Sequence, residues 1–226
     1  QTQARPDTIV HIPSGPFQRG SGETVSLEAF SIDVYEVTNV QYQQFIEAGG
    51  YEAEEHWSDE GWRWLQGNDR RQPRYWENEP LNAPDRPVVG VSWYEAEAYC
   101  RWADKTLPTE LQWEKACRGT DGRKFPWGNE PLAAMPMGQG GAPDQATSEA
   151  PAAMGSAAQT QSPYGVHNLA DRTHEWIATS PDAPDIAPHG GVGDSVAQQV
   201  GCNVRHKLFP SMTANFIGFR CQAAAP

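Results

Sequence analysis

The chain has 226 residues, a formal net charge of −12, 38% apolar and 20% charged residues, a balance that excludes a disordered chain and leaves room for one large domain or two small ones. So acidic a chain repels phosphate backbones and anionic lipid, so nucleic acid and membrane insertion are not expected among its partners. It contains no apolar run of about eighteen residues, the length a bilayer span requires.

Residues 8–20 read as a short strand, a turn and a second strand. Val25, Leu27, Phe30, Ile32 and Val34 alternate in a way that suits another strand pair. Thr38 caps a predicted helix from Asn39 to Ala48, with Tyr42, Phe45 and Ile46 on one face, and Gly49-Gly50 ends it. Residues 51–90 are rich in aromatics, prolines and glycines and read as an irregular segment held by packed rings. Trp57, Trp62, Trp64 and Trp76 either line a groove or fill the core, and core packing is the better reading. Ser92 precedes Glu95, and Thr109 precedes Gln112, each at the capping-box spacing, so two further helices are predicted, carrying Cys100 and Cys117. Residues 131–162 are poor in large apolar groups and read as a long surface loop. The C-terminal third reads as short strands and turns. No repeat or two-domain break is visible, so residues 1–226 are expected to form a single domain.

The four cysteines leave two readings open from the residues alone, a pair of disulfides or four buried thiols. No CxxC is present, which argues against a zinc ribbon or a thioredoxin-type site. The polar opening Gln1–Pro6 reads as a mature end left by cleavage or as an artificial start.

A set of short motifs in fixed order is more specific. Ile12-Pro13-x-Gly15 is followed by Tyr35-Glu36-Val37-Thr38-Asn39, then Pro87-Val88-Val89-Gly90-Val91-Ser92-Trp93. Tyr99-Cys100-x-Trp102-Ala103 leads to Leu107-Pro108-Thr109-Glu110-x-x-Trp113-Glu114 and Phe125-Pro126-Trp127-Gly128. Tyr164-Gly165-Val166-x-Asn168-Leu169, Glu175-Trp176, Gly190-Gly191 and Ile217-Gly218-Phe219-Arg220-Cys221 complete the series. The chain resembles, over nearly its whole length, the formylglycine-generating enzyme family, also called sulfatase-modifying factors. The resemblance implies an α+β fold of the C-type-lectin-like kind, with small antiparallel sheets, a few helices and much irregular structure. It also implies two disulfides, Cys100–Cys221 and Cys117–Cys202. Each would contribute about 2–4 kcal/mol and require an oxidising compartment, so a periplasmic or secreted bacterial location is expected, after removal of a signal peptide that this chain does not contain.

The family's characteristic activity oxidises a substrate cysteine to formylglycine with oxygen, using two thiols that hold copper(I). Counted from Gly191, the thiol positions fall on Ser195 and Val200; counted back from Cys202, they fall on Val192 and Ala197. Neither register supplies sulfur, and a hydroxyl is no substitute for a thiolate toward copper(I), so copper is not expected. The resemblance further implies a calcium loop before Glu-Trp, here Asn168, Asp171, Thr173 and Glu175, although Asp171 stands where the family has glycine. The bland reading of that loop is a hydrogen-bonded turn. The six histidines are scattered without HxxxH spacing and read as surface or hydrogen-bonded residues rather than iron ligands.

In this fold the pocket lies near the Gly-Gly turn and Glu-Trp. There Glu175 or His174 could act as general base, Arg205 could hold an anionic group, and His206 and Ser195 complete the candidate set. Against those roles, Glu175 also reads as a structural acceptor, Arg205 as an ion pair and Ser195 as a turn residue. Three functions follow. The favoured one is oxidative maturation of a secreted small molecule, such as the chromophore of the siderophore pyoverdine, for which the family has a cysteine-lacking periplasmic precedent. A non-catalytic lectin-like binding module is the alternative, and formylglycine synthesis the least supported. The partner is accordingly a small-molecule or peptide substrate.

Overall fold

The computed structural model describes residues 8–130, 161–169, 173–178, 201–202 and 208–225. Four strands open the chain: β1 (Ile9–Ile12), β2 (Gly15–Gln18), β3 (Thr24–Leu27) and β4 (Phe30–Asp33). They nest rather than pair in sequence. β2 and β3 form an inner antiparallel hairpin, and β1 and β4 pair outside it, with Ile12 opposite Phe30. The expected pairing of the 24–35 segment with itself is thus replaced by pairing across the hairpin. This places Ile12, Phe30 and Ile32 in the core, at 0–2% exposure. The last strand, β7 (Gln222–Ala224), joins β4 from the other side, so the two ends of the described chain share one three-stranded sheet.

Three of the four helices found among the described residues begin at capping boxes. Thr38 with Gln41 starts α1 (Asn39–Glu47), Ser92 with Glu95 starts α3 (Trp93–Trp102), and Thr109 with Gln112 starts α4 (Glu110–Arg118). Each cap satisfies donors that the first turn leaves unpaired and contributes about 1 kcal/mol. The fourth helix, α2 (Asp59–Asn68), corrects the irregular reading of residues 51–90. Ser58 caps it, Asp59 and Glu60 occupy its positive end, and Leu65 is buried beneath it. A single 3-10 turn over Glu54–His56 precedes it.

The core divides in two. One part is largely aromatic: the ring of Tyr42 lies 5.3 Å from Tyr99 and 5.4 Å from Phe45, and Tyr99 lies 5.4 Å from Phe219. Full burial of each such side chain supplies about 1.5–3 kcal/mol of transfer free energy. The other part packs Trp113, Ala116 and Cys117 of α4 against Ile12, Phe30, Ile32, Val166 and Leu169. One disulfide stands in each: Cys100–Cys221 in the aromatic part and Cys117–Cys202 in the second. Both pairings implied by the family resemblance are therefore present, and no cysteine is free.

Candidate active site

Two very short strands from distant parts of the chain hold the centre. β5 (His174–Trp176) runs parallel to β6 (Ile217–Phe219), with Glu175 opposite Gly218, and all six residues are buried. Glycine at 218 is dictated by space, since a Cβ there would come within 2.7 Å of the Val88 carbonyl oxygen and 3.1 Å of Thr173 Cγ2. β5 is tied down along its length. Trp176 Nε1 donates to the Val91 carbonyl at 2.9 Å, Trp93 Nε1 donates to the Ile177 carbonyl at 2.7 Å, and the Ala178 amide donates to the Pro108 carbonyl at 2.8 Å. Cys202, bridged to Cys117 of α4, donates its amide to the Lys124 carbonyl at 3.0 Å.

At the middle of this frame Glu175 meets Arg220, both at 0% exposure. Arg220 Nη2 donates to Glu175 Oε1 at 2.7 Å and Nε donates to Oε2 at 2.8 Å, a two-point ion pair. Trp113 Nε1, from α4, donates to the same Oε2 at 2.8 Å. The remaining guanidinium donors go to backbone carbonyls: Nη1 to Asp33 and Val34 at 3.1 and 3.0 Å, Nη2 to His167 at 2.9 Å. All five N–H groups of Arg220 are thus engaged. Glu36 adds a second carboxylate, 3.6 Å from Nη2, and its Oε2 accepts from Asn168 Nδ2 at 3.1 Å. Burial disfavours the Arg220 charge, but Glu175, Glu36 and Asp33 outweigh it and raise its pKa further.

The candidate residues separate accordingly. Glu175, His174, Asn168 and Thr173 converge on this core. His174 is 5% exposed, its ring lies 5.2 Å from that of Phe216, and its amide donates to the Phe216 carbonyl. Ser195, Arg205, His206 and Asp171 lie outside the described residues. The geometry around Glu175 is that of a structural acceptor: a guanidinium on both oxygens and an indole on one do not suit a calcium shell, whose cation would sit beside the Arg220 charge. Asn168 takes a left-handed backbone, φ +60°, with its amide turned to Glu36, as a tight turn requires. His167 stacks on Tyr35 with ring centroids 4.9 Å apart, and burial together with Arg220 lowers its pKa. Sequence reasoning left Arg220, Trp113 and Glu36 inside motifs without a role. The available signal was a lone cation between Phe219 and Cys221 in an otherwise apolar C-terminal run.

The family model for the sulfatase-modifying factor enzyme 1-like domain matches residues 1–225. The chain belongs to that family. It is 31% identical to the formylglycine-generating enzyme of Bos taurus over 96% of this chain and 75% of that protein. It is also 31% identical to hercynine oxygenase of Mycolicibacterium smegmatis over 76% of the chain, but spans only 45% of that longer protein. Among solved structures, PvdO from Pseudomonas aeruginosa superposes with a TM-score of 0.68 at 17% identity, covering 99% of this chain and 100% of that one, which establishes the shared fold. The expected α+β, formylglycine-generating-enzyme-like architecture is therefore the one observed. No helix among the described residues is long and apolar enough to cross a membrane.

Proposed function

We propose that this family member is an oxidative maturation factor for a secreted small molecule, of the kind exemplified by the pyoverdine siderophore chromophore, working without a copper–thiolate centre. The observation that carries the reading is the fate of the sulfur. All four cysteines of the chain are consumed in two buried disulfides, so none remains to hold copper(I). Oxidising chemistry is consistent with the relatives, which include formylglycine-generating enzymes and a protein named as an oxygenase. The disulfides also favour an oxidising compartment, the bacterial periplasm or the exterior.

In this reading His174 acts as general base and Arg205 holds an anionic group of the substrate, with His206 and Ser195 completing the candidate set. Glu175 positions rather than reacts, since Arg220 fixes both its oxygens. The substrate loses two electrons and two protons, which dioxygen accepts to give hydrogen peroxide. Incubation of the protein with the dihydro chromophore precursor in air is expected to produce chromophore fluorescence well above the protein-free rate, with peroxide released in step. Equal rates with and without protein would remove the enzymatic reading in favour of a binding module.

A further inference from the structure

Another buried carboxylate, Glu95, is held by partners other than those of Glu175. Glu95 closes the capping box of α3 through Oε2, which accepts from the Ser92 amide at 2.7 Å. Its other oxygen, Oε1, accepts from the Tyr51 hydroxyl at 2.8 Å. Both residues are sealed from water, at 0% and 1% exposure. Burial raises the pKa of both groups, at Tyr51 with the help of the neighbouring carboxylate, while Arg70 Nη1, 4.0 Å from Glu95 Oε1, opposes the shift at Glu95 and favours its charged form. A cap needs only one carboxylate oxygen and the helix is complete without the phenol. The pair therefore joins a redox-capable ring to a proton acceptor at hydrogen-bond distance.

The rings around it make a continuous series. Tyr51 lies 5.7 Å from Trp57, and Trp57 stacks on Trp64 at 6.5 Å and 27°. Trp57 is 5% exposed and its Nε1 donates to the Gly50 carbonyl at 2.8 Å. A carbonyl is no base, so an oxidised Trp57 keeps its proton and stays a strongly oxidising radical cation. Trp64 is half-buried and reaches solvent, and Tyr94 follows it at 5.5 Å. Tyr94 leads on to Trp93, whose indole donates to the carbonyl of Ile177, the residue after β5.

We propose that Tyr51 and Glu95 form a proton-coupled electron donor that, through Trp57 and Trp64, takes up an oxidising equivalent arriving at the protein surface and holds it in the core. This function is independent of the identity of the substrate proposed above. A one-electron oxidant of the transition-metal-complex class meets Trp64, takes one electron and is itself reduced by one electron. Trp57 refills Trp64, and Tyr51 refills Trp57. As the Tyr51 electron leaves, the O–H bond breaks and its proton passes to Glu95 Oε1, so a neutral tyrosyl radical, a protonated Glu95 and the reduced oxidant are the products. Tyr42, whose hydroxyl lies 3.1 Å from that of Tyr51, has a phenol rather than a carboxylate as its partner and is not the terminus.

Photogenerated tris(bipyridine)ruthenium(III), followed by freeze-quench electron paramagnetic resonance, tests this on the intact chain. A tyrosyl signal is expected in the unaltered protein, with slower formation in D2O than in H2O. Tyr51→Phe is expected to lose that signal and leave a tryptophanyl radical. Glu95→Gln, which still accepts the Ser92 amide, is expected to do the same while retaining its thermal midpoint; a purely structural bond would not move the radical from one ring type to another. Absence of a tyrosyl signal, its persistence in Tyr51→Phe, or equal rates in D2O and H2O overturns the proposal. The isotope comparison needs no variant, so misfolding cannot mask the answer.

Discussion

Replacing Arg220 with methionine is expected to destabilise the protein by about 3–5 kcal/mol, the range for removing one partner of a buried ion pair. The change leaves the Glu175 carboxylate sealed at 0% exposure with the Trp113 indole as its remaining side-chain donor among the described residues, and it strips donors from the carbonyls of Asp33, Val34 and His167. Arg220→Lys keeps the charge, but an ammonium has three donors on a flexible stem and does not reproduce the planar two-point contact, so it too loses stability. Glu175→Gln is expected to be comparably damaging, because it leaves the guanidinium without its closest counter-charge. The double variant Arg220→Met, Glu175→Gln should lose less than the sum of the two single changes, since neither charge of the pair is then stranded. Urea unfolding reads all four. A loss below about 1 kcal/mol in Arg220→Met, typical of a surface pair, would show that the pair is not the buried centre described.

The second large effect concerns the disulfides. Their sequence separations are 121 for Cys100–Cys221 and 85 for Cys117–Cys202. In the chain-entropy model, loops of that length constrain the unfolded state by about 4–5 kcal/mol each, above the roughly 2–4 kcal/mol of a typical bridge because the loops are long. The loops are nested. With the inner bridge in place, the outer one closes only the short stretches flanking it, so removing the outer bridge alone should cost less than its length suggests, and removing both should cost most. Paired Cys→Ala replacements measured by denaturant titration should follow that order. Because Cys221 neighbours Arg220, loss of the Cys100–Cys221 bridge should also loosen the ion-paired centre; the Cys221 amide donates to Asp33 Oδ2 at 3.0 Å in the same cluster. Equal stability with and without the bridges would refute the assignment of the cysteines to structure.

The parts of the fold legible in the sequence were those with local chemistry. The capping boxes at Thr38, Ser92 and Thr109 gave three helices within a residue or so of their observed starts, because the cap is made by residues three apart. Helix α2 escaped because Trp62 and Trp64 are two apart, a spacing that hides a helical face, and because Gly61 and Gly67 weaken the propensity signal. The nested pairing of β1 to β4 was invisible for a different reason: register between separated strands depends on tertiary burial, not on the strand sequences alone. In the candidate site, Glu175 and His174 were found through the Glu-Trp motif. Their partners were not, since Glu36, Trp113 and Arg220 come from three remote segments that only the folded chain brings within hydrogen-bond distance. The family resemblance supplied the cysteine pairing, which four cysteines by themselves leave ambiguous.

The central claim is that a formylglycine-generating-enzyme fold here does its work with every sulfur of its cysteines locked in a disulfide. Titration of the purified, oxidised protein with cuprous ion, in competition with a chromophoric copper(I) chelator, tests it most directly. The account predicts that the chelator keeps the copper at every ratio. Stoichiometric transfer of one cuprous ion to the protein would contradict it.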